Sequence, residues 1–405
     1  MPLINPFSKH SGEFTLKTTK KTFLWTLTLV LMMVTALPTT VNAQDASVAQ
    51  DVLETYAEIA YTSYQDSLIM GEALQVAIEA FLAEPTEETH QTAKEAWLAA
   101  QEPYGQTEVY RFYGGPIDGE DGPEGLMNAW PLDEAYVDYV EGDPDAGIIN
   151  NPDDFPEITE KLLLDLNEQG AEENIATGYH AIEFLLWGQD LSAETNGQRP
   201  YTDYVDAPNA ERRATYLQVI TDRLVFDLQS LVDAWAPDVD DNYRAEFVAS
   251  DPNQALTNIL TGMGVLSKSE LSGERMFTAY DNQDQEDEHS CFSDNTHRDI
   301  ITNLQGIANV YWGTYTRIDG TVVEGTGVSA LLAEVSPELD AEINSTLEAA
   351  IEATNAIYVP FDQAIVLPDE RDQVLDSVFL LQDLGDLIAS AASELGLTIN
   401  TALPE

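Results

Sequence analysis

The chain has 405 residues, 44% of them hydrophobic, and carries 72 acidic side chains against 17 lysines and arginines, a net charge of −55. A field of that sign repels nucleic acid and anionic membranes and concentrates cations. Cys291 is the only cysteine, which excludes an intrachain disulfide and any thiolate metal cluster, so stability must come from burial.

In chain order, residues 1–43 read as an export signal. Lys17, Lys20 and Lys21 precede an apolar run from Phe23 to Leu37, and Val41-Asn42-Ala43 gives a small-x-small cleavage site. The run is at the short end for a membrane span, and the polar Gln44-Asp45 just beyond it favour removal. The expected product lies outside the cytoplasm, in the periplasm or beyond, with no stable membrane insertion. These 43 residues hold four lysines and one glutamate, so the remainder sits near −58 with three lysines. A solvated acidic surface, suited to salty surroundings, explains that balance without any metal.

Helical periodicity dominates the rest of the chain. Amphipathic helices are expected over residues 46–68, 71–83, 86–100, 158–166, 175–187, 210–234, 242–267, 295–315, 337–357 and 370–395. Loops fall where Gly, Pro and Asp cluster, at 114–125, 141–155, 189–208, 281–293 and 317–326. Thr321-Val322-Val323 is too short to suggest a sheet. The class is all-α, with a boundary expected near Ala236-Pro237-Asp238, dividing helical bundles at 44–236 and 237–405. AIEFLLWG at 181–188 and GIANVYWG at 306–313 agree at three of eight positions. An ancient duplication and ordinary helix packing explain that echo equally well.

The motif Gly178-Tyr179-His180-Ala181-Ile182-Glu183 sets an imidazole and a carboxylate on one face of an apolar helix. A buried glutamate is costly unless paired or metal-bound, and His with Glu can ligate a first-row transition metal. A core histidine bonded within its own helix satisfies the same spacing. Upstream lie Trp97, then Pro103-Tyr104, where Pro103 suits a helix start, and Glu108, which could pair with Arg111. Trp130-Pro131-Leu132-Asp133-Glu134 is an aromatic-proline turn with two carboxylates. Further on come Ser272-Gly273-Glu274-Arg275-Met276 and the segment 286–299, where His289 and His297 stand among acids. His297 reads as a solvated helix position.

Taken together and in this order, these blocks resemble the imelysin-like family, most closely its cyanobacterial-type branch. The resemblance covers about 200 residues. It implies two helix bundles with the GxHxxE helix near a cleft between them, and an association with iron uptake or periplasmic iron binding. It also implies that His180 and Glu183 are the motif residues of a metal site. Glu108, Asp133, Glu274 and His289 fall in the same blocks and are candidates to join them in the cleft.

Three readings stay open. The first is an exported iron-binding protein, its cargo ferrous or ferric, with an iron permease or receptor as a partner; a thiol-free His/carboxylate set suits iron and tolerates zinc. The second is a zinc-dependent metallopeptidase, a class to which some members have been assigned. That chemistry needs an open metal position and a general base, and no HExxH occurs here. The third is a helical domain that binds a partner without metal and uses the His/Glu pair structurally.

Overall fold

The computed structural model describes residues 43–404. Residues 1–42, which hold all but the last residue of the expected export signal, lie outside the described residues. No described helix is long and apolar enough to cross a membrane.

The backbone of the fold is one 41-residue helix, Ala43–Ala83. Two helices separated near Gly71 are expected from the sequence, yet Gly71 does not break the run. A Cβ at that position would lie 2.6 Å from Leu228 Cδ1. The glycine is there so that helix Ala210–Trp235 can pack closely, and neighbouring turns supply the helical continuity. On its other sides the first helix meets Glu87–Gly105 and, from later in the chain, Tyr243–Ala249, Pro252–Val265 and Val328–Val335. Elements from both sides of position 236 thus share its surface, and the described residues form one compact unit.

Helix Glu87–Gly105 begins with a capping box. Thr86 accepts from Thr89 N, and Thr89 Oγ1 accepts from Thr86 N. Pro103 lies inside its last turn rather than at a helix start. Its missing N–H costs a single bond there, and Thr107 Oγ1 donates to the Tyr104 carbonyl just beyond. The helix expected at 242–267 splits at Ser250-Asp251, where Asp251 caps Pro252–Val265. That helix then runs without a turn into a π-helix, Leu266–Phe277. The π-helix packs on the last long helix, Arg371–Glu394, which also receives Pro337–Asn355.

The class is all-α, with one small exception. Thr314–Thr316 and Val322–Glu324 form an antiparallel hairpin, Tyr315 opposite Val323. Its short strands are held by an anchor to the first helix: buried Asp66 accepts from Tyr315 Oη, the Arg317 guanidinium and the Ile318 amide. That tertiary anchor, not strand propensity, makes three-residue strands persist.

Candidate metal centre

The motif helix, Gly178–Trp187, is buried along its whole length. It starts at Gly178, later than the expected 175, because Gly178 has φ +88° and a Cβ there would meet the Met127 carbonyl oxygen at 2.5 Å. Trp97 Nε1 donates to the Tyr179 carbonyl at 2.9 Å, and Tyr204 Oη donates to the Leu185 carbonyl at 2.7 Å. These bonds and the Trp97–Trp187 ring contact fix the helix against its neighbours.

His180 and Glu183 face each other as their spacing requires, Nδ1 to Oε2 at 3.1 Å. The other Glu183 oxygen accepts from both the amide and the hydroxyl of Ser293, at 2.9 and 2.6 Å. Both carboxylate oxygens are therefore engaged. Burial lowers the His180 imidazole to about 4, so it is neutral at pH 7, and burial pushes the Glu183 carboxyl upward.

His289 arrives from the segment before helix Thr296–Trp312, and its ring lies edge to face on His180 with centroids 4.5 Å apart. Its Nδ1 is 2.9 Å from Asp299 Oδ2, which also accepts from the Ser290 hydroxyl at 2.6 Å. Asn295 Nδ2 donates to the second Asp299 oxygen. Burial depresses the His289 imidazole well below its usual range. Trp130 closes over this ring at 5.7 Å and donates through Nε1 to the Glu288 carbonyl.

Two adjacent, neutral imidazoles thus each have Nδ1 held on a carboxylate. Each also has a buried Nε2 with no hydrogen-bond partner. With Glu183 and Asp299 ionised, each accepts from Nδ1–H and leaves the Nε2 lone pair free, the tautomer that metal-bound histidines require. The two imidazoles fit a metal on that count, as a pair of nitrogens.

Glu108 belongs to a separate buried ion network. Its Oε2 accepts from Arg111 at 2.7 Å and from Arg275 at 2.6 Å, and the two guanidiniums hold its carboxyl down at about 2 despite full burial. Arg111 also pairs with Glu124 and Arg275 with Glu270, both at 2.8 Å. Three carboxylates against two guanidiniums leave the network net negative. Glu108 Oε1 has one donor, Asn128 Nδ2 at 3.4 Å. Arg111, Glu124, Asn128, Trp130, Arg275 and His289 line a cavity of about 420 Å³, and Glu168, Glu172 and Glu274 add further acids to its wall.

Four of the six candidates from the sequence, His180, Glu183, His289 and Glu108, are buried around this cluster. Glu274 is an exposed residue of the cavity wall. Its neighbour Arg275 is the inward-facing member of that block. Asp133 is exposed and caps the short helix Glu134–Val137, accepting from Ala135 N at 3.0 Å, and it does not line the cavity. Arg275, Asp299 and Ser293 were not among the candidates. All three fall in the blocks that drew attention to Glu274 and His289; Arg275 and Ser293 were passed over because cations and hydroxyls are not sought as metal ligands, and Asp299 because nothing in the sequence sets it apart from the other acids of its segment.

The Imelysin family model matches residues 60–391. Iron-regulated protein A of Synechococcus elongatus is 26% identical over 272 residues, 65% of this chain and 63% of that protein's length. A crystal structure assigned as an iron-regulated protein A precursor from Parabacteroides distasonis superposes with a TM-score of 0.66 at 20% identity. The match covers 85% of this chain and 95% of that one. An imelysin-like protein from Psychrobacter arcticum gives 0.61 at 12% identity over 88% and 98%. At those identities the two structures speak for the fold, and the match along most of the sequence speaks for descent: the chain belongs to the imelysin family.

Proposed function

We propose that this protein binds iron outside the cytoplasmic membrane, in capture or delivery for uptake, through the His180–His289 pair. The observation that carries the reading is the pair of buried, unpartnered Nε2 atoms on touching rings. Leaving two such atoms without partners is costly in a folded protein unless something binds there. In this reading His180 and His289 are the nitrogen ligands. Glu183 and Asp299 orient them. Imidazole nitrogens set among carboxylates, with no thiolate, suit iron in either oxidation state, with zinc as the competing ion. The similarity to iron-regulated protein A supports iron as the cargo.

A zinc peptidase needs a general base beside the metal. Glu108 is poorly suited, because two arginines hold its carboxyl near 2, and Glu183 has both oxygens engaged.

Anaerobic titration with ferrous iron tests the proposal, with zinc run alongside. The parent should show a tight site that His180→Ala or His289→Ala abolishes while far-UV circular dichroism stays unchanged. Glu183→Gln should weaken it about ten- to a hundredfold, as loss of an orienting partner does. Equal binding by parent and the His180→Ala/Glu183→Ala protein would refute the assignment, and a preference for zinc would favour the hydrolase.

A further inference from the structure

A second group of oxygen donors lies beside the histidine pair and takes no part in it. Asp190, Asp294 and Asp362 each present a carboxylate oxygen within 4.8 Å of the other two. They come from three separate segments. Asp190 lies just past the end of the motif helix, Asp294 precedes helix Thr296–Trp312, and Asp362 sits in the short helix Phe361–Val366. Such a cluster could be no more than a solvated acidic patch, but Asp190 and Asp362 are each only 2% exposed.

Glu288 separates this group from an ordinary acidic patch. It is fully buried and faces Asp362, and neither oxygen has a hydrogen-bond partner of ordinary geometry, although the Thr296 hydroxyl bears on it. Both oxygens of Asp362 and one of Asp294 also lack donors. The donors that do reach the cluster go to Asp190, from the Ser192 amide at 3.1 Å and Gln285 Nε2 at 3.0 Å. Burial, with repulsion from neighbouring carboxylates, pushes Asp190 and Asp294 up to about 7. Buried carboxylates facing one another without donors call for a cation between them.

We propose that Asp190, Asp294 and Asp362, with Glu288 behind them, form a calcium site distinct from the histidine centre. The donors are all hard oxygens, with no nitrogen or sulfur among them. That excludes a preference for the softer transition metals and points to calcium or magnesium. An all-protein cage drawn from three independent segments suits calcium, which accepts six to eight oxygens in flexible geometry. Magnesium demands a near-ideal octahedron and keeps its waters. The site would also have a structural consequence. Asp294 adjoins Ser293, whose amide and hydroxyl hold Glu183, so a cation here braces the loop that positions the motif carboxylate.

The test uses the purified, chelator-stripped protein in about 0.15 M NaCl, where the diffuse acidic surface is screened. Calcium chloride is titrated calorimetrically and thermal unfolding is measured with and without the ion. We expect one calcium site and a rise in Tm in the parent. Asp362→Asn and Asp294→Asn should each weaken calcium binding about tenfold or more, since affinity depends on ligand charge, and suppress the rise. Both variants should melt no lower than the parent without calcium, because each removes a repelling charge. If Asp362→Asn fails to fold, Asp294→Asn at its half-buried position carries the test. A parent with no calcium-dependent rise overturns the proposal, as does a rise that survives in both variants. An equal response to magnesium chloride overturns the choice of ion. Ferrous titration of Asp294→Asn should still count the histidine site, which keeps the two assignments separable.

Discussion

His90 and His180 are both buried histidines on apolar helix faces, and what surrounds each ring separates their roles. His90 stacks on Phe81 at 4.8 Å and its Nε2 donates to the Leu186 carbonyl at 2.8 Å, so the ring is satisfied and belongs to the core. Burial lowers it to about 4. The unfolded chain takes up this proton near 6.5, so between pH 6.5 and 4 the unfolded state binds more protons. Stability therefore falls as pH falls through that window, by on the order of 2–3 kcal/mol from this group. His90→Gln keeps a donor for Leu186 and removes the titration. Urea unfolding across pH 4–7 should show a shallower loss in the variant than in the parent, and parallel curves would dispose of the assignment. Residue type alone cannot separate these histidines, because the discriminating fact is whether Nε2 has a partner. The same limit explains Asp133, whose carboxylate answers to a helix terminus four residues long, and Glu183, whose spacing to His180 is as expected but whose second oxygen belongs to Ser293.

Helix positions and the all-α class were legible because periodicity over ten or more residues is a strong signal. What periodicity misses is how elements join. Gly71 reads as a break and is a contact, while Ser250-Asp251 reads as helix and is a cap. The π-helix Leu266–Phe277 is the costliest omission for the site. Its i→i+5 bonding changes the register of the Ser272–Met276 block and turns Arg275 inward to Glu108 while Glu274 faces out. Two glycines near the site separate a constrained position from a free one. Gly178→Ala forces a side chain onto φ +88° and against the Met127 carbonyl, and should cost about 2–4 kcal/mol in urea unfolding. Gly273→Ala meets no atom within 4 Å, and should change stability by about 1 kcal/mol or less. If the two variants unfold alike, the start of the motif helix is not constrained as described.

At the scale of the whole molecule the dominant fact is charge. The sequence shows its size, and the structure shows where it acts: ten of the described acids are buried, five of them against arginines, while the cavity wall beside His289 carries Glu168, Glu172, Glu270 and Glu274. A negative wall leading to two neutral imidazoles draws cations inward without itself binding them tightly. That field is long-ranged and screened by salt, with a Debye length of about 30 Å at 0.01 M and about 8 Å at 0.15 M. The ligands are buried and feel much less of that screening. Raising NaCl across this range should therefore slow ferrous association several-fold, as measured by stopped flow, and leave dissociation nearly unchanged. The same screening relieves self-repulsion among 72 acids, so Tm should climb over the same range. Neutralising the wall with Glu168→Gln, Glu172→Gln and Glu274→Gln, none of which holds a ligand in place, should reproduce the slower association at low salt. An association rate indifferent both to salt and to these three changes would mean that cations reach the histidines by another route.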